Sequence, residues 1–269
     1  MLGGAVNAIV WTNDGQRLIA VGDGRDNFAV GVLVSSGTKI GEILGANKNL
    51  LCADISPRPF HLFSAGEGSD ILDHKGVPFK GQGLAVPNPH GHFVNQIRLS
   101  PNASHLVTAS SDKSIAVFET GSREMQMRIE GAHSKGIYDV AWIDDDNLVT
   151  CSADNTVKVW NVESDDTKEP TRVLHQLEDA KEEVARQALG VLYRPVDESI
   201  WAVNLDSDVH RFAKDGVLPA QTYQGHKEFI GAQLTWDKWV IYASEHNVFY
   251  ARIVDGAQFV GKIKGLSHT

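Results

Sequence analysis

The chain has 269 residues, 42% hydrophobic and 22% charged, which suits one or two globular domains with a sizeable core. Its net charge of −9 disfavours nucleic acid as the main partner, because neutralising phosphates takes an excess of Lys and Arg. No run approaches the roughly 18 apolar residues of a spanning helix, and the opening MLGGAVNAIVW lacks the basic and long apolar regions of a signal peptide.

Taken in chain order, one template recurs: an apolar residue, a second three positions on, and a bulkier one two further. It catches Val6-Ile9-Trp11, Leu50-Ala53-Ile55, Val94-Ile97-Leu99, Ile137-Val140-Trp142, Ala188-Val191-Tyr193 and Phe229-Ala232-Leu234. Its last members stand at 11, 55, 99, 142, 193 and 234, so successive intervals are 44, 44, 43, 51 and 41. A second apolar run follows each: Leu18 to Val21, His61 to Ser64, Leu106 to Ala109, Leu148 to Cys151, Ile200 to Val203 and Val240 to Ala243. These runs are β-branched or aromatic and too short for helices, which predicts strands. Third runs follow Gly/Asp/Asn/Ser turns: Phe28 to Leu33, Ile71-Leu72, Ile115 to Phe118, Val157 to Trp160, Val209 to Phe212 and Val248 to Ile253. Fourth strands are weaker, with candidates at Met125 to Ile129, Arg172 to His175 and Phe259 to Ile263. The long interval holds the one helical-looking stretch, LEDAKEEVAR at 177–186, which reads as an exposed, charged insertion of about seven residues.

Self-similarity at about forty residues, with four strands per repeat, predicts an all-β propeller of the WD40 type. Six repeats fall at approximately 1–45, 46–89, 90–131, 132–177, 178–224 and 225–269, within a single domain over 1–269. The clearest two lie between His90 and Glu163. In them Asp112 precedes Phe118 by six positions and Asp154 precedes Trp160 by six, and Trp160-Asn161 stands where the WD dipeptide would.

The histidines His92, His133 and His226 recur once per repeat, ahead of the template. A zinc site needs ligands converging on one point, and rotation around a propeller would disperse them. They read instead as members of buried networks tying strands together: His92 with Asp112, and His133 with Ser152 or Thr150, Asp154 and Trp160. His90 and His92 share a strand face and form a weak metal alternative. Asp144-Asp145-Asp146 reads as a solvated turn, and no spaced set of calcium ligands follows it. Asn102-Ala103-Ser104 matches a glycosylation acceptor by chance, in an expected tight turn. Cys52 and Cys151 fall in apolar runs of different repeats and read as buried free thiols, as in a reducing compartment. No G-x-S-x-G, P-loop, H-E-x-x-H or paired C-x-x-C is present. Gly22-Asp23-Gly24 and Gly66-Glu67-Gly68 precede strands, so they offer a phosphate no helix N-terminus. Neither an enzyme nor a cofactor or metal is expected.

Arg17 to Phe28, RLIAVGDGRDNF, resembles the R-I-A-x-V-G-E-G-R-E-x-F stretch of the actin-interacting protein 1 family, the WD-repeat cofactor of cofilin. The likeness continues through Ser56 to Phe60, Val77-Pro78-Phe79-Lys80, His92-Phe93-Val94-Asn95 with Arg98, Gly136-Ile137-Tyr138 and Gln187 to Gly190. It implies two joined seven-bladed propellers, of which this chain would supply six blades of the first, leaving an incomplete ring; closure of six blades is the alternative. It also implies binding to cofilin-decorated actin filaments, their disassembly, a cytoplasmic location on the actin cytoskeleton, and no membrane or small-molecule substrate. Carried over by position, the family's contact residues resemble Asp26, Glu67 and Phe93, while the second Phe of its P-P-F-K-F motif falls on Gly81. A WD-repeat scaffold of another multiprotein assembly is the competing function.

Overall fold

A computed structural model describes residues 2–24, 27–57, 59–68, 70–76, 79, 81–163, 169–175, 187–206, 208–223, 230–236, 239–244, 248–253 and 259–264. Side chains are described as far as Tyr223, except those of residues 41, 42, 81, 82 and 175. The predicted helical insertion at 177–186 lies outside these residues, as do Asp26 and His226.

The chain divides into two compact units, Met1–Ala132 and His133–Thr269. The first holds three antiparallel sheets. Sheet one comprises β1 (Val6–Trp11), β2 (Arg17–Gly22), β3 (Ala29–Leu33) and β4 (Lys39–Leu44). Sheet two comprises β5 (Leu50–Ile55), β6 (His61–Gly66), β7 (Asp70–Lys75) and β9 (Leu84–Pro87), with the short β8 (Gly81–Gln82) between the last two in sequence. Sheet three is β10 (Val94–Leu99), β11 (His105–Ser110), β12 (Ile115–Glu119) and β13 (Met125–Ile129). The second unit repeats the pattern. Sheet four is β14 (Ile137–Trp142), β15 (Asn147–Ser152), β16 (Thr156–Asn161) and β17 (Arg172–His175). Sheet five is β18 (Ala188–Arg194), β19 (Ser199–Asn204), β20 (Val209–Phe212) and β21 (Gln221–Tyr223). Sheet six is β22 (Ile230–Trp236), β23 (Trp239–Ser244), β24 (Val248–Ile253) and β25 (Phe259–Lys264). Repeated four-stranded antiparallel sheets in sequence order are the pattern of WD repeats.

One irregularity explains the template. In all six sheets the ladder between first and second strands slips at the start, as where Val6 faces Gly22 but Ala8 already faces Val21. The extra residue is a β-bulge, and it shifts the side-chain alternation by one. Positions one, four and six of the strand therefore share a face, whereas strict alternation would give one, three and five; in sheet six the slip follows Ile230, so the expected Phe229-Ala232-Leu234 template stands one residue too early there. The second strands of sheets two to five are buried along nearly their whole length, which is why they read as continuous apolar runs. The bulge also crowds the chain at the end of the second strand. A Cβ on Gly66 would lie 2.3 Å from the Asn49 carbonyl oxygen, and one on Gly22 2.0 Å from that of Ala5, so both glycines of the Gly-acid-Gly motifs serve close backbone approach.

Burial of the shared face differs along the first unit. Leu50, Ala53 and Ile55 join Ile19, Val21, Ala29 and Ile43 of sheet one in a single core cluster. Val94 and Ile97 join Phe63, Ala65, Ile71 and Val86 of sheet two in another. On β1 the same stripe is open: Val6, Ile9 and Trp11 are each about half exposed. Sheet one gains a fifth member instead at its other edge. Gly81 and Gln82 leave sheet two and pair parallel with Ile43 and Leu44, and Gly83 N donates to the Leu44 carbonyl at 3.0 Å. Phe79 anchors this excursion: it is 1% exposed in the sheet-one core cluster, at a left-handed φ of 59°. In the second unit, Ala188 and Val191 of β18 pack with Val149, Cys151, Val157 and Val159 of sheet four. Cys52 and Cys151 are both buried.

Candidate functional site: histidine networks and the Glu67–Phe93 edge

Sheet four carries the fullest polar network. His133 has no exposed side-chain surface, and its Nδ1 lies 3.0 Å from Asp154 Oδ2. A carboxylate only accepts, so Nδ1 carries the proton and Nε2 is left as an acceptor. The Thr150 hydroxyl meets Nε2 at 2.8 Å and itself receives the Trp160 indole N–H at 2.9 Å. One relay thus runs from Trp160 through Thr150 and His133 to Asp154, with every buried group partnered. Asp154 also accepts from Ser134 N at 2.9 Å and from Thr156 Oγ1 at 2.6 Å. Burial pushes its pKa up, but the His133 ring and these donors outweigh that and hold it well below the usual carboxylate range. Burial lowers the pKa of His133 despite the carboxylate beside it. Ser152, expected as an alternative partner of the histidine, stands aside from the ring. Its hydroxyl donates to the Gly136 carbonyl at 2.9 Å and receives Asp154 N at 3.1 Å, stapling the turn.

Sheet three repeats the relay with a correction to the expected residue. The histidine is His90. Its Nδ1 lies 2.7 Å from Ser114 Oγ and 3.3 Å from Asp112 Oδ1, and its Nε2 2.7 Å from Thr108 Oγ1. Gly91 N donates to Asp112 Oδ2 at 2.8 Å, and this turns the chain so that His92, two residues on, is exposed and only meets Phe93 edge-on at 5.7 Å. Phe118 stands where Trp160 does, so Thr108 receives no indole proton. Burial works against the Asp112 charge, yet the Ser114 and Gly91 donors and His90 hold its pKa down at about 2. Among the described residues no three or more His, Cys, Asp or Glu are grouped to hold a metal ion. The H-x-H alternative therefore splits into one buried and one exposed ring.

Of the three carried-over contact residues, Asp26 lies outside the described residues. Glu67 follows β6 and is half-buried; its Oε1 accepts from Asn49 Nδ2 at 3.3 Å, and Asn7 Nδ2 reaches Asn49 Oδ1 at 2.9 Å. Phe93 precedes β10 and is 44% exposed. Its carbonyl is fastened by Ser110 Oγ at 2.8 Å and Ser111 N at 3.0 Å, so an apolar ring is presented on a fixed backbone. Leu50 pairs with Gly66 beside Glu67, and Cys52 Sγ lies 3.6 Å from the Val94 carbonyl. Glu67 and Phe93 therefore occupy the same edge of neighbouring sheets. Gly81 is a strand residue against Ile43, and the aromatic of its segment, Phe79, is core.

A cluster that the sequence did not announce lies at the opposite strand ends of the first unit. Asp73, with no exposed side-chain surface, receives Arg123 Nε at 2.7 Å and lies 3.0 Å from His61 Nδ1. Arg123 stands fifty positions away in sequence, so no local pattern could link the two.

Comparison with known proteins agrees with the repeats. Residues 83–119 and 125–161 match the WD domain, G-beta repeat. Each match takes the outer strand of one sheet and the three inner strands of the next. The chain is 28% identical to actin-interacting protein 1 of Drosophila melanogaster over 271 aligned residues, covering 99% of this chain and 43% of that protein. It is 36% identical to WD repeat-containing protein 1 of Bos taurus over 163 residues, covering 59% and 27%. It is 30% identical to the 66 kDa stress protein of Physarum polycephalum over 236 residues, covering 86% and 37%. The chain thus spans less than half the length of these relatives. WD-repeat scaffolds are typically non-catalytic, and this homology supports placing the chain among the WD-repeat proteins.

Proposed function

We propose that this chain is an actin-binding WD-repeat protein that engages cofilin-decorated actin filaments and promotes their disassembly. The observation that carries the reading is the ordered likeness to actin-interacting protein 1, which runs along 99% of the chain. Its sites are Asp26, Glu67 and Phe93, acting through carboxylates and one exposed aromatic on loops, where binding residues concentrate. The common edge of Glu67 and Phe93 supports the last two. His133, Asp154, Trp160, Asp112 and His226 serve the fold. A cytoplasmic, cytoskeletal location follows from the same homology.

We infer further that the repeated sheets are WD40-type propeller blades, of which the first leaves its β1 face uncovered. The half-exposed Val6, Ile9 and Trp11 support this, because their counterparts on β5, β10, β14 and β18 are buried or nearly so. A repeat buries its faces only against neighbours, and the β1 stripe is the face a preceding blade would cover.

Co-sedimentation with actin filaments, with and without cofilin, tests the function. Pelleting is expected to be stronger with cofilin and to weaken in Glu67→Lys and Phe93→Ser variants that keep the wild-type unfolding midpoint. Equal or absent pelleting in both conditions refutes the actin reading.

A further inference from the structure

A pocket of about 420 Å³ lies in the first unit between sheets two and three, lined by Pro57, Pro59, His61, Phe63, Lys75 and Asn102 among others. It sits at the strand ends opposite Glu67 and Phe93: His61 opens β6, while Glu67 follows its close. Its size falls in the range of ligand sites, about 300–1,000 Å³.

Behind its lining residue His61 stands a buried acid. Asp73 is wholly buried, with Arg123 Nη2 at 2.6 Å and His61 Nδ1 at 3.0 Å. Taking such a pair out of water contributes little net stability, so the fold alone gives weak reason for it. What the arrangement does is fix the His61 ring, which also stacks on Phe63 at 6.1 Å and 16°. Asp73, paired to a guanidinium, accepts; Nδ1 of His61 therefore carries a proton, and in the neutral ring Nε2 is an oriented acceptor. Among the described residues Nε2 meets no protein donor, and the side chain is 22% exposed. Lys75 is exposed on the rim and forms no ion pair among the described residues. Pro57 and Pro59 are exposed and supply rigid apolar walls.

We propose that this pocket docks an acidic peptide segment of a partner protein. Lys75 holds a carboxylate, His61 Nε2 receives a backbone N–H, and an apolar side chain lies against Pro57 and Pro59. A free dicarboxylate would satisfy Lys75 but offer no donor to His61, which is why the occupant is a peptide. Asp73 and Arg123 are positioning residues. The site shares no residue with the Glu67–Phe93 edge and stands independently of the actin reading.

The test is NMR of the full chain labelled at histidine, with the His61 ring signal assigned through His61→Gln. The probe is N-acetyl-phenylalanyl-glutamyl-glycine amide. The His61 signal is expected to shift saturably, and affinity to fall about tenfold or more in Lys75→Glu and with the glutaminyl probe. Lys75 is exposed, so that variant keeps the fold. An unmoved His61 signal, equal affinity for both probes, or unchanged affinity in Lys75→Glu overturns the proposal. Glutarate reproducing the shift at equal affinity also overturns it, assigning the pocket to free dicarboxylates.

Discussion

Removing His133 isolates what the sheet-four relay contributes. The ring is fully buried, but Asp154 keeps Ser134 N and the Thr156 donors, and Thr150 keeps the Trp160 N–H. His133→Ala therefore costs one charge-assisted hydrogen bond and one neutral one, about 2–3 kcal/mol. Asp154→Ala strands the Thr156 amide and leaves the His133 Nδ1–H only the Thr156 hydroxyl at 3.1 Å, and costs about 3 kcal/mol. Because the two side chains share one bond, the double variant should fall short of the sum by about 1–2 kcal/mol. Trp160→Phe turns this sheet into the likeness of sheet three, where Phe118 already stands; it loses a single N–H donor, about 1 kcal/mol. Urea unfolding at neutral pH, read by fluorescence and circular dichroism together, gives each value. Additivity within about 0.5 kcal/mol would show that His133 and Asp154 do not act as a pair, and the relay would be refuted.

Burial lowers the pKa of His210 to about 4, below its unfolded value of about 6.5. The unfolded chain then takes up the proton first, so His210 leaves stability intact above about pH 7 and withdraws about 2 kcal/mol between about pH 7 and pH 5. A pH series of midpoints should show this loss and its flattening in His210→Gln; an equal loss in the variant removes the explanation. Asp112, held at about 2, contributes stability above its unfolded pKa near 3.8 that disappears as pH falls through about 2; Asp112→Asn should abolish that acid limb in a titration of sheet-three unfolding. Ile97→Ala should cost about 3 kcal/mol and Ile9→Ala under about 1 kcal/mol, since only Ile97 is enclosed. Equal costs in denaturation would mean that the β1 stripe is covered in solution. Gly66→Ala should cost about 2 kcal/mol through the contact with the Asn49 carbonyl, and a neutral result would place the bulge elsewhere.

The strands were legible where their physics is local. The one-four-six spacing appears in the sequence because the bulge puts those three side chains on a single face. Asp154 and Trp160 were legible because both sit within one short hairpin, at a separation the turn imposes. The outer strands β9 and β21 were not, because each buries one residue along its length, Val86 and Tyr223, and carries no periodic signal. Choosing His90 over His92 depended on the path of the loop at Gly91, where a backbone amide caps Asp112. Glu67 and Phe93 were assigned by resemblance; that they share an edge follows from Cys52 lying against Val94 across two sheets. Burial of Phe79, exposure of the β1 stripe and the meeting of Asp73 with Arg123 were decided by tertiary structure alone. Each depends on which sheets become neighbours, and that is set by contacts between segments forty or more residues apart, which no window of sequence contains.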